Sequence, residues 1–380
     1  MASSRCVVIG AGILGAAVAA RLAWAGHRVT LLEQDQPGHG TSRWSLAWLN
    51  SNDKAPRPYH DLNHAGIRAW AELAPELGGD AWYRPVGHLE LAIADTAELQ
   101  ARVRRLTGWN YPARLVDEAE AADLEPALRH PAPGAWFPEE GYLLTEPLIA
   151  RLVAHAKSHG ADVRTGDPGR VTALDVGPGA APRVRTADGD VLAADEVVCC
   201  AGRWTPGLAP EPAAVPMIPW DTPGSVAPGL VVRVGPVAPP GPLRLLHTPE
   251  LALRPHPGGL LHLEAPDAAE AVDLHTPEPD LRRWADELLR RARRTVRGLD
   301  DARVVELKVC ARPLPADGQS IAGRLPGAEH LYVAVTHSGV TLAAHLSRLI
   351  TEDLTTGTPP ADLAPYHPAR FPAVPPPPVS

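Results

Sequence analysis

Three glycines and one acidic residue near the start of the chain have the spacing of a dinucleotide-binding site. The run Val7–Gly15 reads VVIGAGILG, and Glu33 ends the next apolar run. Gly10 permits a tight turn, Gly12 lets a pyrophosphate approach the backbone, and Gly15 lets the following helix pack closely on the strand. The free N–H groups of that helix favour phosphate. Glu33 accepts from both ribose hydroxyls and disfavours a 2′-phosphate, so these residues predict FAD or NAD rather than NADP.

Other chemical signatures are missing from the sequence. No Ser-His-Asp arrangement, pair of catalytic carboxylates or metal-binding cluster is evident, and the four cysteines have neither metal-ligand nor CxxC spacing. We therefore expect a reduced, cytoplasmic protein. Because the chain enters its first strand soon after Met1, we expect no signal peptide, and no apolar run is long enough to span a bilayer. A formal net charge of -8 without a basic patch argues against a nucleic-acid partner.

The elements that must position these residues follow from the hydrophobic pattern. Buried strands are predicted at the start, middle and end of the chain, with antiparallel strands between residues 216 and 263 and a turn at Asp188-Gly189. The other predicted strands are Leu89–Ile93, Glu196–Cys200, Val304–Cys310 and Leu331–Val335. The predicted helices are Ala11–Ala25, Pro58–Leu77, Asp95–Leu106, Val116–Leu128, Thr145–Gly160, Leu281–Arg297 and Gly339–Leu354.

This segmented order resembles the D-amino acid oxidase superfamily of flavoproteins, which includes glycine oxidase and monomeric sarcosine oxidase. The resemblance covers nearly the whole chain. It depends on the residues Gly10–Gly15, Glu33, Thr41-Ser42, Cys199–Trp204, Arg312–Gly318, Ile321–Gly323 and Val335–Leu342. In the family the last stretch usually contains Gly-His-Gly before a helix. Here His337-Ser338-Gly339 changes the side chains but keeps the turn.

The resemblance implies an α/β fold with FAD as the cofactor. A Rossmann-like FAD-binding domain of the glutathione-reductase type is built from discontinuous segments, and a second, α+β domain with an antiparallel sheet selects the substrate. The expected FAD-binding segments are 1–83, 142–215 and 305–360, the substrate domain is 84–141 and 216–304, and a Pro-rich tail covers 361–380. A second helix N-terminus at Gly339 is expected to face the flavin ring.

By the same resemblance, further residues are expected along the cofactor. Val171 meets the adenine through its backbone, and the segment from Ala47 to Leu49 runs beside the pyrophosphate and flavin. The full set of expected FAD contacts is Gly10, Gly12, Ile13, Leu14, Gly15, Glu33, Gln34, Thr41, Ser42, Ala47, Trp48, Leu49, Val171, Ala201, Gly202, Trp204, Cys310, Arg312, His337, Ser338, Gly339, Val340 and Thr341.

Cys310, Arg312 and His262 are candidates for chemistry. Cys310 precedes Asp317 by the spacing at which the sarcosine oxidase branch carries flavin on a cysteine thioether, and a plain buried thiol is the alternative. Arg312 is expected either to grip a substrate carboxylate or the flavin, or to form an ion pair with Asp317. His262 falls where that branch has an oxygen-activating lysine. A protonated His262 stabilises superoxide, and the alternative is a polar residue on an outer strand face.

The substrate pocket is described only in outline by the sequence. Thr341 stands where the sarcosine oxidase branch binds a carboxylate with lysine, which argues against a small N-methyl amino acid. Trp44, Trp48, Trp204 and Trp220 form either an aromatic pocket for a bulky or cationic amine, or plain core. Trp48 is also a catalytic candidate.

The sequence favours an FAD-dependent oxidase of an amine or amino acid, with O2 as acceptor. A dehydrogenase of an amine or hydroxy acid that uses another acceptor, a nicotinamide-dependent dehydrogenase, and a non-catalytic flavin-binding scaffold are the alternatives. The substrate and the oligomeric state are left open.

Overall fold

The computed structural model describes residues 3–92, 96–177, 181–209 and 215–372. The predicted strand end at Ile93, the helix start at Asp95 and the tail beyond residue 372 lie outside the described residues. Strands in these ranges are β1 Arg5–Ile9, β2 Arg28–Glu33, β3 Trp48–Leu49, β4 Tyr83–Arg84, β5 His88–Leu91, β6 Arg114–Val116, β7 Gly134–Phe137, β8 Gly141–Leu143, β9 Asp162–Thr165, β10 Val171–Asp175, β11 Arg183–Thr186, β12 Val191–Ala193, β13 Glu196–Cys199, β14 Pro228–Gly235, β15 Leu245–Thr248, β16 Leu251–His256, β17 Leu260–Glu264, β18 Arg303–Ala311, β19 Ile321–Leu325 and β20 Ala328–Val335. The α-helices are α1 Ile13–Trp24, α2 Arg57–Leu73, α3 Thr96–Gly108, α4 Glu118–Leu124, α5 Thr145–Ser158, α6 Pro266–Ala271, α7 Glu278–Thr295 and α8 Gly339–Thr356.

The first sheet carries the glycine-rich turn. Its strand order is β19-β20-β13-β1-β2-β9, with all neighbours parallel except β19 and β20. The apolar residues of β1 and β13 are buried, as expected for a parallel sheet covered on both faces. The predicted α/β, Rossmann-like fold is confirmed.

Four helices form one core with this sheet. α1 packs against both α5 and α8, and α2 packs against α8. The contact between α2 and α8 is close, because a Cβ on Gly66 would lie 2.5 Å from the carbonyl oxygen of Thr341. Trp70 Nε1 also donates to the carbonyl of Val340 at 2.7 Å. Helix α2 therefore fixes the first turn of α8.

The second large sheet has eight strands in the order β18-β14-β17-β16-β15-β5-β7-β6. Neighbours are antiparallel except β15 and β5. Helix α7 packs against it through a buried face, Ala285, Leu288, Leu289 and Ala292. Strand β18 pairs with β14 along its length, so the expected domain boundary between residues 304 and 305 falls inside a strand of this sheet. The structure places that strand with the antiparallel elements.

The predicted boundary of an element is correct where a turn residue marks it clearly in the sequence. The turn at Asp188-Gly189 joins β11 and β12, with Gly189 at φ +91°. The predicted helix Val116–Leu128 is wrong at its start, because Val116 ends β6 and Asp117 caps α4 in a capping box with Glu120. Within the described ranges, no helix combines the length and apolar character needed to cross a bilayer.

Replacing Gly66 with alanine tests the contact between α2 and α8. The added methyl group must push the two helices apart, and overpacking of this kind costs about 1–3 kcal/mol. We expect Gly66→Ala to lower the free energy of unfolding by about that amount, measured by denaturant titration. Gly108→Ala is the matched control, because its Cβ would meet nothing within 4 Å. Equal stability of the two variants would contradict the close contact.

Candidate active site

A cavity of about 570 Å³ opens where β1 and β13 end and α1 begins. Gly10 turns the chain there with φ +94° and donates to the carbonyl of Leu32 at 2.8 Å. A Cβ on Gly15 would lie 1.8 Å from the carbonyl oxygen of Gly10. Gly15 therefore packs the helix against the turn, and it does not line the cavity.

The acidic residue at the end of β2 closes one side of this cavity. Glu33 Oε2 accepts from the N–H of Ala11 at 2.8 Å, and Oε1 accepts from the N–H of Asp35 at 3.0 Å. These two contacts fix the carboxylate at the cavity edge, where a ribose is expected.

The N-terminus of α1 points into the same cavity. Its first turn contains no acidic residue, and Ile13 N–H donates to Ser42 Oγ at 3.0 Å. A Cβ on Gly12 would come within 4 Å of Ser42 Oγ alone, at 3.3 Å, so the backbone is open to a ligand. The positive end of the helix dipole thus faces a cavity that suits phosphate.

A second helix N-terminus reaches this cavity from the other end of the chain. Gly339 begins α8, whose first turn also lacks an acidic residue. Ser338, which precedes it, donates its N–H to Thr336 Oγ1 at 3.1 Å and accepts from the Tyr59 hydroxyl at 3.1 Å. Two positive helix ends therefore face one cavity.

Most of the residues predicted to contact the cofactor line this first cavity. They are Gly10, Gly12, Ile13, Leu14, Glu33, Gln34, Thr41, Ser42, Val171, Ala201, Gly202, Trp204, His337, Gly339 and Val340. Leu49 lines neither large cavity, since its side chain is buried in the core with β8.

A second cavity, of about 450 Å³, adjoins the first. Predicted residues that line it are Thr41, Ala47, Trp48, Cys310, Arg312, His337, Ser338, Val340 and Thr341. The two cavities share Thr41, Ser45, Pro313, His337 and Val340. The wall also carries Asp53, Lys54, His247 and Glu264, which sequence reasoning missed. Charges of both signs therefore face the second cavity.

His262 does not occupy the predicted position. Its side chain is fully buried, lines neither large cavity, and lies 3.0 Å from Glu264 through Nε2. Burial and the nearby guanidinium groups of Arg254 and Arg233 hold its pKa well below the usual range. Because a neutral, enclosed imidazole cannot act as the protonated group expected above the flavin, that assignment is wrong. The alternative of an outer strand face is wrong as well.

Arg312 lies at the second cavity and is not paired with Asp317. Its Nε donates to the carbonyl of Ala227 at 3.0 Å, and Nη2 donates to the carbonyl of Val226 at 2.7 Å. Asp317 instead pairs with Arg370 at 2.9 Å. The predicted ion pair is therefore wrong, and Arg312 is fixed by carbonyl groups at a site where a ligand can reach it.

The four tryptophans separate into two groups. Trp44 and Trp48 line the second cavity, whereas Trp204 lines the first and contacts Trp220 edge-on at 6.1 Å between ring centroids. Thr341 Oγ1 donates to the carbonyl of Trp48 at 3.1 Å. The first turn of α8 therefore holds the strand that carries Trp48.

Behind Trp48 lies a buried carboxylate that the sequence did not reveal. Glu140 is fully buried, and burial raises its pKa to about 7 despite several donors. The donors are Trp48 Nε1 at 2.9 Å, Ser51 N–H at 3.1 Å, Asn52 N–H at 3.1 Å, Asn52 Nδ2 at 2.9 Å, Tyr111 hydroxyl at 2.6 Å and His88 Nδ1 at 3.1 Å. Burial lowers the pKa of His88 to about 4, so its imidazole is neutral. Glu140 thus fixes Trp48 and the loop that leads to Asp53.

These features fit FAD by shape and charge. The pyrophosphate of FAD is anionic and its ring gains negative charge on reduction, and each of the two helix ends offers backbone donors and a positive dipole. Gly12 and Gly339 leave the approach open, since a Cβ on Gly339 would meet its first neighbour at 3.8 Å. The fold and site define a dinucleotide-binding oxidoreductase with a separate cavity for a second ligand.

Comparison with known proteins gives the family. A family model described as FAD dependent oxidoreductase (DAO) matches residues 5–353. The chain belongs to this family, the D-amino acid oxidase superfamily, and it is an FAD-dependent oxidoreductase. The predicted family is confirmed.

Several relatives show how far the similarity extends. Glycine oxidase of Geobacillus kaustophilus is 27% identical over 387 residues, covering 94% of this chain and 95% of its own. The tRNA 5-methylaminomethyl-2-thiouridine biosynthesis bifunctional protein MnmC of Chromohalobacter salexigens is 34% identical over 222 residues, which cover 56% of this chain and only 30% of that protein. The structure of iminodiacetate oxidase from Chelativorans sp. BNC1 has a TM-score of 0.80 at 24% identity and covers 96% of this chain and 99% of its own. That structural likeness confirms the fold.

Glu140→Gln tests the buried network. The amide places an N–H group among donors, and a buried unsatisfied donor costs about 1–3 kcal/mol. We expect a loss of that size in the free energy of unfolding near neutral pH. Folding raises the pKa of Glu140 from 4.5 to about 7. The protonated side chain therefore adds to the free energy of unfolding at low pH, and this stabilisation is lost as the pH rises through 7. The deficit of the variant is therefore larger at about pH 5 than at about pH 8.

Glu139→Gln is the control for this measurement. Glu139 is adjacent in sequence but its side chain is 38% exposed, and it contacts His64 at 2.7 Å. An exposed pair of this kind contributes at most about 1 kcal/mol. A Glu140→Gln protein as stable as Glu139→Gln at both pH values would show that the network does not hold the loop.

Proposed function

We propose that the protein is an FAD-dependent oxidase of an amine or amino acid. Bound FAD supplies the acceptor for a hydride from the carbon next to nitrogen, at flavin N5, and O2 then takes the electrons to give H2O2. The imine product is hydrolysed or cyclises. The observation that carries this proposal is the charged second cavity, which adjoins the first beside the N-terminus of α8.

The charges around the second cavity support an amino-acid substrate. Lys54 pairs with Asp53 at 2.9 Å, and the further charges are Arg312 and Glu264. Opposite charges on one wall suit a ligand that carries both a carboxylate and an amine. Arg312, held by backbone carbonyls, is proposed to bind the carboxylate through its guanidinium.

The relatives support the same reaction class. Their names describe oxidation of glycine and of iminodiacetate, which are both amines that carry carboxylates. The eight-stranded sheet, which includes β18, is proposed as the substrate domain, because β14, β16, β17 and β18 all contribute residues to the second cavity. Trp44 and Trp48 are proposed to enclose the substrate.

A substrate screen with two readouts tests the proposed function. Amines and amino acids are mixed with the purified yellow protein, first without oxygen to follow bleaching of the flavin and then with oxygen to measure H2O2. We expect at least one carboxylate-bearing amine to bleach the flavin and to yield one H2O2 per turnover. Bleaching with dye reduction but without peroxide would make the protein a dehydrogenase. If no amine bleaches the flavin and sulfite does not react with it, the protein would instead be a non-catalytic scaffold.

Arg312→Gln identifies the carboxylate contact within that screen. Hydrogen bonds to a charged group contribute about 1.5–3 kcal/mol, so KM for the amino acid is expected to rise about 10- to 100-fold. The control substrate is the amine that lacks only the carboxylate of this amino acid, and its KM is expected to be the same in the wild type and in Arg312→Gln. Equal effects on both compounds would remove Arg312 from carboxylate binding.

Covalent attachment of FAD to Cys310 is a separate proposal. Cys310 lines the second cavity, and the nearby Arg203 and Thr41 favour its thiolate, although burial raises the pKa of the thiol overall. Forming the thioether replaces S–H and a methyl C–H of the flavin with an S–C bond and releases two electrons and two protons, for which O2 is the acceptor. After acid precipitation, flavin in the pellet of the wild-type protein and in the supernatant of Cys310→Ala is the expected result. Wild-type flavin in the supernatant would exclude the thioether.

A further inference from the structure

Glu264 ends β17 with its carboxylate at the second cavity. Its side chain is 34% exposed, whereas that of His262, two residues earlier on the same strand face, is fully buried. His262 Nε2 lies 3.0 Å from Glu264 Oε1, and its Nδ1 has no hydrogen-bond partner among the residues that the structure describes. The neutral imidazole therefore donates from Nε2 to the carboxylate and supports it from behind.

Among the residues that the structure describes, no lysine or arginine lies within ion-pair distance of this carboxylate. Across the described chain, His262 is the one basic side chain within ion-pair distance, and Arg312 and Arg254 act on Glu264 only from farther away. The Asp53 carboxylate on the same wall, by contrast, is paired with Lys54. The Glu264 carboxylate is thus held by His262 on one side, and on the other side it can accept a hydrogen bond from a ligand in the cavity.

We propose that Glu264 binds the ammonium group of the substrate and accepts one of its protons. The step rests on the proposed function, because the amine must lose that proton before it can give up a hydride. An N–H bond of the ammonium breaks and an O–H bond forms on the carboxylate. The electron pair stays on the nitrogen, so no atom is oxidised or reduced. The substrate is then an amino acid whose carboxylate lies at Arg312 and whose nitrogen lies at Glu264.

The surroundings leave Glu264 as the group on this wall that titrates near neutrality. Burial raises its pKa to about 7, partly offset by Arg312 and Arg254. Burial lowers the pKa of His262, His247 and His337, so these side chains are neutral there. The pKa of Asp53 is lowered and that of Arg254 is about 10. Glu140, whose pKa is also about 7, lies behind Trp48 and does not line the cavity.

Two isosteric probes test the ammonium site without turnover. Glycine betaine carries a carboxylate and a permanent cation, and 3,3-dimethylbutanoate has the same shape without the cation. Their dissociation constants are measured on the flavin-loaded protein from flavin absorbance and thermal shift. Because ionised Glu264 favours the cation, we expect the preference for betaine to rise about 10-fold between about pH 5.5 and about pH 8.5. A preference that does not change with pH in the wild-type protein would overturn the proposal.

Glu264→Gln assigns that preference to one residue. The variant is nearly isosteric and is expected to lose the pH dependence and about 10-fold of the betaine affinity at high pH, with dimethylbutanoate unchanged. Glu306→Gln is the control, because Glu306 pairs with Arg233 at 2.8 Å and lines neither large cavity. Retention of the wild-type betaine profile in Glu264→Gln would overturn the proposal. If the variant loses flavin, the wild-type probe ratio alone decides.

A kinetic readout tests proton acceptance separately. With an oxidisable amino acid, kcat/KM of the wild type is expected to fall below about pH 7, where Glu264 is protonated. In Glu264→Gln that limb is expected to move up to the pKa of the substrate ammonium group, because the rate then follows the free amine fraction of the substrate. An unchanged limb would overturn proton acceptance. If no amine bleaches the flavin but the betaine profile is as expected, the proposed function fails and the ammonium site stands.

Discussion

Two helix N-termini converge on one cavity, and the rest of the site depends on this arrangement. β1 and β20 both belong to the parallel sheet, so the helices that follow them begin at the same edge. α1 and α8 also pack against each other, which keeps their positive ends together. Neither helix has an acidic residue in its first turn. An extended anionic cofactor would neutralise the positive ends of both helices, and its reactive ring would then lie near α8.

A chain of direct contacts joins this cofactor region to the substrate cavity. Trp70 and the close approach at Gly66 fix the first turn of α8. Thr341 in that turn donates to the carbonyl of Trp48, whose indole in turn donates to Glu140. The wall that faces the substrate is therefore positioned by the same helix whose N-terminus serves the cofactor. Changes to these buried contacts affect both cavities together.

The parts of the fold and site that were predictable depend on local spacing. The run from Gly10 to Gly15 and the turn before Gly339 are each continuous in sequence, so the element types around them follow from nearby residues. Glu140 gives no such signal, since its donors come from three separate segments, namely residues 48–52, His88 and Tyr111. The predicted role of His262 is wrong because strand alternation indicates which face of the strand a side chain occupies but not which residue on that face reaches the cavity. On this strand it is Glu264, two residues after His262, that lines the second cavity.

The same distinction explains the boundary inside β18. The sequence from residue 305 leads into the flavin-binding turn, but the strand itself finds its hydrogen bonds on β14, more than sixty residues earlier in the chain. Pairing across such a separation leaves no local pattern to read. Charges that arrive at the second cavity from Asp53, Glu264 and Arg312 are likewise brought together only by the folded chain.

A crystal structure of the flavin-loaded protein tests the central claim most directly, because it shows where both ends of FAD lie. The account predicts the adenosine beside Glu33 and Val171, the pyrophosphate at the N-terminus of α1, and the ring beside His337 and Gly339, facing the second cavity. A flavin ring bound elsewhere, or an FAD that contacts only one of the two helix ends, would contradict it.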